Sequence, residues 1–286
     1  MNSRLIGYLF ETRAIRVCPK DMPFWYTSGK IGPYYINTHF LYGSEGLANE
    51  FLSEIDAIKD DKIGCSDLFF QATKAQYCAN SVFMGTMDCM IQTIREQINP
   101  DEIDYISGGE RRDWFFSFLV ADALKKPHIT LFKDLDAVVY ENGASRSVSD
   151  LNGARVLHVA DLITTASSYE RAWVPIIKRF NGQMKWSMVV IDRLQGGKEV
   201  LHNLSVASHA LVRIDEDVFQ KACENHYIDE AQLRMVLKYM HDPEASMRLF
   251  LKQNPGFLSD ALKNGGKTAD RAKMLIENNF YGLKED

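Results

Sequence analysis

The sequence of 286 residues lacks several features that mark particular classes of protein. It has no run of eighteen apolar residues, so we predict no transmembrane helix. Arg4, Glu11, Arg13 and Arg16 interrupt the N-terminal stretch, so we expect no signal peptide there. The net charge of −5 provides no basic excess of the kind that binds nucleic-acid phosphates. We therefore predict that the protein associates with neither a membrane nor a nucleic acid.

Cysteine is also sparse and irregularly spaced. The sequence has no CxxC pair and no recurring Cys and His spacing typical of zinc ligands; its five cysteines are Cys18, Cys65, Cys78, Cys89 and Cys223. An odd number of cysteines without a regular spacing favours reduced thiols and a cytoplasmic protein. We predict that the protein side chains form no metal site. No internal repeat or low-complexity tract is visible.

What the sequence does contain is an alternation of short apolar runs with helical patterns. Hydrophobic residues make up 46% and charged residues 25% of the chain, which is ordinary for a globular protein. Strands are predicted at 103–107, 128–132, 137–140, 155–160, 186–192 and 209–214, and helices at 45–58, about 71–98, 113–125 and 167–180. This alternation predicts an α/β fold with a mostly parallel sheet flanked by helices.

The pattern changes after residue 214. Candidate helix N-caps follow at Asp215, Asp229 and Asp242, and Pro243 suits a first helical position. We therefore predict two domains: 1–214 with the sheet, and a small all-helical C-terminal extension, 215–286. The extension is expected to serve packing or oligomerisation rather than to hold a second active site.

Ligands of parallel sheets bind beyond the carboxyl ends of the strands, so the turns that follow strands are candidate sites. The first such turn, Ser107–Asp113, reads SGGERRD. Gly108 and Gly109 would allow a tight turn close to a ligand, and Arg111 and Arg112 suit a phosphate or pyrophosphate. The alternative is a surface turn with solvated arginines.

The second turn follows the strand at 155–160 and begins with Asp161. Its hydroxyls, on Thr164, Thr165, Ser167 and Ser168, lead into a helix, whose N-terminus favours phosphate. The alternative is a redundant set of N-caps. The third turn, Ile191–Gly197, carries Arg193, which suits a carboxylate or a carbonyl-rich ring.

A fourth stretch, Phe24–Asn37, is rich in aromatic residues and contains Gly29, Gly32 and Pro33, which predict a loop. Its rings would stack on a planar ligand or, alternatively, form an aromatic edge of the core.

Taken together in this order, the four stretches resemble the type I phosphoribosyltransferases, and among them the orotate phosphoribosyltransferases. The resemblance covers residues 1–214. An N-terminal SG–x–x–(S/G)–PY–aromatic–x–N pattern is matched by Ser28, Gly29, Gly32, Pro33, Tyr34, Tyr35 and Asn37. The family motif VDDVITTGTS is matched by VADLITTASS at Val159–Ser168, and DRQEGG is matched by DRLQGG at Asp192–Gly197. Gly108–Asp113 occupies the place of the family's pyrophosphate loop.

The resemblance implies the type I phosphoribosyltransferase fold with an N-terminal hood segment. It also implies transfer of phosphoribosyl from phosphoribosyl pyrophosphate to a pyrimidine such as orotate, in pyrimidine nucleotide synthesis, by a homodimer with Mg²⁺ bound through phosphoribosyl pyrophosphate. The implied catalytic residues are Arg112 at the pyrophosphate, Asp161 at the ribose hydroxyls and Lys133 at the start of a mobile loop. The implied substrate-binding residues are Tyr35 at the base, Gly108, Gly109 and Arg111 at the pyrophosphate, Thr165, Ala166, Ser167 and Ser168 at the 5′-phosphate, and Thr164 and Arg193 at orotate.

The sequence also departs from the family pattern. Ala160 replaces the first acid of the motif, Thr27 replaces a lysine, and the loop at 137–145 carries no cation, while Asp134 and Asp136 lie just before it. Two hypotheses follow. The protein is an active phosphoribosyltransferase with rearranged catalytic groups, or it is a non-enzymatic sensor of a nucleotide or of phosphoribosyl pyrophosphate. Turnover distinguishes them, because only turnover requires charge in the loop.

Overall fold

The computed structural model describes residues 3–282. The helices are α1 Ser3–Glu11, α2 Glu45–Ile58, α3 Cys65–Ala79, α4 Ser81–Gln97, α5 Trp114–Leu124, α6 Val174–Arg179, α7 Gly197–Asn203, α8 Glu216–Glu224, α9 Glu230–His241, α10 Pro243–Gln253, α11 Gly256–Asn264 and α12 Gly266–Glu277. The strands are β1 Ile15–Val17, β2 Phe24–Trp25, β3 Ile31–Gly32, β4 Tyr34–Ile36, β5 Tyr105–Gly109, β6 His128–Leu131, β7 Ala137–Glu141, β8 Ala144–Ser147, β9 Arg155–Ile163, β10 Gln183–Asp192 and β11 Ala207–Arg213. None of the helices in 3–282 is long and apolar enough to cross a membrane.

The chain forms two compact units. The first contains the residues up to Arg13 together with Thr38–Asp215, and the second contains Ala14–Asn37 together with the residues from Glu216 onward. The second unit therefore includes a segment that the sequence analysis assigned to the 1–214 domain. The division into a domain 1–214 and an extension 215–286 stays a prediction, as does the hood role of the N-terminal segment.

The first unit is built on a seven-stranded sheet in the order β11-β10-β9-β5-β6-β7-β8. The first five of these strands are parallel, and β7 and β8 complete one edge as antiparallel strands. Strands β5 and β9 are direct neighbours, with Ser107 paired to His158. Their carboxyl ends therefore meet, and so do the loops that follow them. The predicted mostly parallel α/β fold is confirmed.

Helix α5 is buried on all sides, since its sequence WFFSFLVADAL is apolar apart from Ser117 and Asp122. Its aromatic rings pack against those of α2 and α3: Trp114 stacks on Phe69, and Phe115 meets Phe51 edge to face. This packing fixes the start of α5, and with it the loop at 110–113 that joins β5 to the helix.

Several predicted elements need correction. The single helix predicted at about 71–98 is two helices separated by Asn80, because the Asn80 side chain accepts hydrogen bonds from the N–H groups of Val82 and Phe83 and so begins α4. Strand β8 was missed because it is a short, polar edge strand, whose side chains are mostly exposed. In contrast, the bounds predicted for α2 are those observed.

The loop predicted at Phe24–Asn37 is wrong, because this stretch contains the short antiparallel strands β2, β3 and β4. Within the second unit its aromatic rings pack on the C-terminal helices: Trp25 stacks on Phe257, and Tyr34 contacts Phe219. The N-caps predicted at Asp229 and Asp242 are confirmed, since each side chain accepts a hydrogen bond from the first turn of its helix.

The Tyr281 hydroxyl joins the two parts of the second unit. It accepts a hydrogen bond from the Ile31 N–H at 2.9 Å and donates one to the Ile31 carbonyl at 3.2 Å, and both residues are buried. We expect Tyr281→Phe to lower the free energy of unfolding by about 1–2 kcal/mol, because it leaves buried backbone groups unpaired. Urea denaturation of the full chain measures the change. Tyr77→Phe, which removes an exposed hydroxyl bonded to Asp88, is the control, and equal effects of the two would contradict the prediction.

Candidate functional site

A cavity of about 350 Å³ lies in the first unit where the loops after β5 and β9 meet. It is lined by Glu110, Arg111, Arg112, Asp113, Lys133, Ala160, Asp161, Leu162, Ile163, Thr164, Ala166, Ser167, Ser168, Tyr169 and Trp173. Eight residues predicted from the sequence are therefore brought together: Arg111, Arg112, Lys133, Asp161, Thr164, Ala166, Ser167 and Ser168. The walls combine cationic side chains, hydroxyls and three carboxyl groups, of which Glu110 is paired with Lys59, and this suits a polar, anionic ligand that also carries hydroxyls.

The loop between β5 and α5 is held from outside the cavity. The Glu110 carboxylate forms an ion pair with Lys59 at 2.7 Å and accepts a hydrogen bond from the Lys133 N–H at 3.0 Å. Burial opposes ionisation of Glu110, but the bond from Lys59 keeps its pKa below the ordinary value. Arg111 forms an ion pair with Asp56 of α2. Lys59 and Asp56 lie 51 and 55 residues from Glu110 and Arg111 in the chain, so no local pattern indicates them as partners.

Arg112 differs from Arg111 in having no such partner. It is exposed, and no ion pair or hydrogen bond to its side chain is found among residues 3–282. Its charge acts on a neighbouring imidazole: burial, with Arg112 and Arg111 as further causes, lowers the pKa of His39 to about 3. His39 is therefore neutral at physiological pH, and Arg112 is the arginine of this loop that is available to an anion.

The two carboxylates that precede the predicted mobile loop share one lysine as their ion-pair partner. Lys62 bonds Asp134 at 2.5 Å and Asp136 at 3.0 Å, and its hydrogen bond keeps the pKa of Asp136 below the ordinary value. The following residues form β7 and β8 of the sheet, and Ala137–Tyr140 are buried. The stretch that the sequence analysis treated as an uncharged mobile loop is therefore a hairpin of the sheet.

The turn after β9 passes directly into a helix. Ala166 has φ = 56°, a left-handed conformation that favours glycine, and is buried. Ser167 and Ser168 follow as exposed residues at the helix start, and a π-helical turn at Tyr169–Trp173 precedes α6. The first N–H groups of a helix have no partner within the helix. The turn therefore presents N–H groups and hydroxyls at one end of the cavity, which is the arrangement that binds phosphate.

Asp161 lies in the strand end that borders the cavity, next to the carboxyl of Asp113. The Asp161 N–H donates to Asp113 Oδ1 at 3.1 Å. Burial, followed by the charge of Asp113, raises the pKa of Asp161 well above its ordinary value, although Arg112 acts in the opposite direction. Asp113 and the buried His158 behind it were not predicted from the sequence. Asp113 ends the pyrophosphate-loop stretch but was given no role of its own, and the pairing of β5 with β9 brings both residues near Asp161.

Gly108 and Gly109 lie outside the cavity, and the tight turn predicted at these two glycines is wrong. Both glycines are buried at the end of β5 and do not line the cavity. A Cβ on Gly109 would lie 2.4 Å from ring atoms of Trp173, and one on Gly108 would lie 2.2 Å from Ser117 Oγ. These glycines are therefore required by close packing and not by a tight turn.

The remaining predicted residues are also placed elsewhere. Thr165 is exposed and does not line the cavity. Arg193 follows β10, where its N–H donates to the Ile163 carbonyl at 3.0 Å, and its Nε is buried without a hydrogen-bond partner among the described residues. Tyr35 belongs to β4 of the second unit, where its ring contacts Phe24 and Tyr26. In residues 3–282 no group of three or more His, Cys, Asp and Glu side chains could hold a metal ion.

Comparison with known proteins finds a similar sequence. The chain is 30% identical over 100 residues to an orotate phosphoribosyltransferase of Saccharolobus solfataricus, and the match covers 35% of this chain and 50% of the relative. The chain thus spans half the length of the curated relative that it matches. No family model matches the sequence.

Solved structures show the same fold. An orotate phosphoribosyltransferase from Francisella tularensis has a TM-score of 0.52 at 17% identity and covers 83% of this chain and 98% of its own. One from Aeropyrum pernix has a TM-score of 0.50 at 15% identity, covering 76% and 98%. The UMP synthase of Leishmania donovani has a TM-score of 0.55 at 16% identity, covering 84% of this chain and 42% of its own. The chain therefore resembles the orotate phosphoribosyltransferases in sequence and has the fold of type I phosphoribosyltransferases.

Proposed function

We propose that the protein transfers the phosphoribosyl group of phosphoribosyl pyrophosphate to orotate, a step of pyrimidine nucleotide synthesis. The observation that carries this proposal is the cavity itself, which is lined both by Arg112 and by the hydroxyl-rich helix start at Ser167 and Ser168. One ligand with a phosphate at each end would use both features. The similarity to proteins named orotate phosphoribosyltransferase supports the choice of this ligand and of orotate as acceptor.

The roles of the residues follow from their positions. Ser167, Ser168 and the helix N–H groups would bind the 5′-phosphate. Asp161 would accept hydrogen bonds from the ribose hydroxyls. Arg112 and Lys133 would neutralise the charge that grows on pyrophosphate as its bond to ribose C1 breaks. This transition state has oxocarbenium character, so the contribution of the protein is mainly positioning and charge stabilisation.

The acceptor end of the site is proposed on the resemblance. Arg193 would contact the carboxylate or carbonyl groups of orotate, and Thr164 would contact the ring, while the role of Tyr35 at the base stays an expectation of the resemblance. The buried Arg193 Nε supports this role, because an unsatisfied guanidinium nitrogen favours an oxygen acceptor. The phosphate contacts implied for Thr165, Gly108 and Gly109 rest on the resemblance alone, because none of the three lines the cavity.

Three further features belong to the same proposal. Mg²⁺ would enter bound to phosphoribosyl pyrophosphate, where it neutralises phosphate charge and assists departure of pyrophosphate. The five free cysteines support a reducing, cytoplasmic location. A homodimer is proposed from the resemblance alone.

A turnover assay tests the proposal. Purified full-length protein with Mg²⁺, orotate and phosphoribosyl pyrophosphate should consume orotate, which is followed as a loss of its absorbance. Pyrophosphate release should match orotate loss mole for mole. If there is no turnover at high protein concentration but calorimetry still detects binding of phosphoribosyl pyrophosphate, the sensor hypothesis is favoured over the enzyme.

The two arginines of the loop should differ in their effect on binding. Arg112→Ala should weaken binding of inorganic pyrophosphate by about 1.5–3 kcal/mol, the range for a hydrogen bond to a charged group. Arg111→Ala is the matched control, because its guanidinium is already paired with Asp56, and it should weaken binding by less than about 1 kcal/mol. Calorimetry at constant salt measures both variants. Equal losses of affinity in the two variants would remove the special role of Arg112. A larger loss in Arg111→Ala would assign that role to Arg111.

A further inference from the structure

Strand β9 supplies a single carboxyl to the cavity. Ala160, the residue before Asp161, lies 3% exposed in the core beneath the sheet. The second carboxyl comes from a different element, since Asp113 reaches the cavity from the end of the loop that precedes α5. Asp113 ends the stretch that resembles the family's pyrophosphate loop, but the resemblance assigns it no role of its own.

The Asp113 carboxylate is 8% exposed and strongly hydrogen-bonded. Its Oδ2 accepts from the Gly109 N–H at 3.0 Å, and its Oδ1 accepts from the Asp161 N–H at 3.1 Å. His158 Nε2 lies 3.4 Å from Oδ2. These two hydrogen bonds hold the Asp113 carboxylate in one position. The same bonds connect the end of β5, the start of α5 and the end of β9.

His158 is completely buried, and its polar neighbours among the described residues are Ser107 and Asp113. Its Nδ1 lies 2.9 Å from Ser107 Oγ. The rings of Tyr169 and Trp173 cover the imidazole at centroid distances of 4.9 and 6.2 Å. His158 is thereby fixed in place, and its buried Nε2 lies 3.4 Å from Asp113 Oδ2 without a hydrogen-bond partner among the described residues.

We propose that Asp113, supported by His158, is a positioning residue that keeps Asp161 protonated in the ligand-free protein. Two neighbouring carboxyls that line one cavity cannot both ionise cheaply, and they share one proton. Asp113 holds the better hydrogen bonds, so the proton resides on Asp161. Asp161 then meets a ligand as a hydrogen-bond donor at low pH and becomes an acceptor only after it releases this proton.

The charged and titratable groups that face Asp161 agree with this assignment. Asp113 of the loop favours the protonated form, as does burial, and Arg112 of the same loop opposes it. Tyr169, from the helix start, is buried and feels the charges of both carboxyls, and its pKa is raised, first by burial. His158, which belongs to β9 itself, influences Asp161 only through Asp113. Lys133 borders the same cavity.

The experiment is a carboxyl titration by ¹³C NMR of the ligand-free full chain labelled at aspartate. Asp161→Asn identifies the signal by removing it. In the wild type we expect Asp161 to titrate well above the range of exposed aspartates, and in Asp113→Asn we expect its midpoint to fall by at least one pH unit. Asp67→Asn, which alters a half-buried partner of Tyr140 in another part of the unit, should leave the midpoint unchanged. A wild-type midpoint below pH 5, or no change in Asp113→Asn, would overturn the inference.

A second variant keeps the inference testable if Asp113→Asn does not fold. His158→Gln keeps a hydrogen-bond donor near Asp113 but cannot carry charge, and it should move the Asp161 midpoint by less than Asp113→Asn does. A larger shift in His158→Gln would place the proton on the imidazole and refute the assignment to Asp161.

Only the effect on the substrate rests on the proposed function. Affinity for phosphoribosyl pyrophosphate should fall about tenfold per pH unit below the wild-type midpoint and stay nearly constant over that interval in Asp113→Asn, since one proton is linked to binding. A shifted Asp161 titration without binding at any pH would support the inference and reject the proposed function. Binding with the same pH dependence in both proteins would reject the inference alone.

Discussion

Replacing Ser168 with aspartate should lower the affinity for ribose 5-phosphate by at least about 100-fold without weakening the fold. Ser168 is exposed at the start of a helix and lines the cavity. A carboxylate about 5 Å from a phosphate charge is repelled by about 3 kcal/mol at an effective dielectric constant of ~20, which corresponds to about 100-fold in affinity. The same charge favours the helix N-terminus by about 0.3–1 kcal/mol. Binding and stability should therefore change in opposite directions.

Calorimetry and thermal unfolding of the same preparations measure both effects. Ser168→Asn is the matched control, because it has nearly the same size as the aspartate variant and no charge; its affinity should fall less than about tenfold. If the two variants bind ribose 5-phosphate equally, the helix start is not the phosphate site. If Ser168→Asp also unfolds at a lower temperature, loss of binding has a structural cause.

Replacing Gly109 with alanine should destabilise the first unit by about 3 kcal/mol, although only one methyl group is added. The added Cβ would lie 2.4 Å from two ring atoms of Trp173, whose side chain is 5% exposed and packed in the core. Overpacking of a filled core costs about 1–3 kcal/mol and sometimes more. The Trp173 ring also covers His158, so its displacement should disturb the carboxyl pair and lower turnover as well.

Gly46→Ala is the control for this substitution. Gly46 is exposed in α2, and its nearest neighbour would be Ser44 Oγ at 3.9 Å. Alanine is the better helix former by about 1 kcal/mol, so this variant should be stabilised. Chemical denaturation of both variants gives the comparison. A Gly109→Ala protein as stable as the wild type would show that Trp173 moves without cost, and the close packing would not explain this glycine.

The strongest sequence signals were local ones. Asp229 and Asp242 were recognised as N-caps because a cap bonds residues within one helical turn. The turn after β9 was recognised because strand, acid, hydroxyls and helix follow one another along the chain. The pairing of Arg111 with Asp56 was invisible, since nothing local distinguishes it from Arg112.

The sequence by itself therefore determined the α/β alternation, the helical C-terminal region and the turns that carry the candidate phosphate-binding groups. These depend on hydrophobic period and on hydrogen bonds between near neighbours. The tertiary structure alone decided that Asp113 and His158 stand beside Asp161, that Lys62 pairs with Asp134 and Asp136, and that residues 14–37 pack with the C-terminal helices. These contacts depend on strand order and side-chain packing between segments far apart in the chain, which local propensity does not encode.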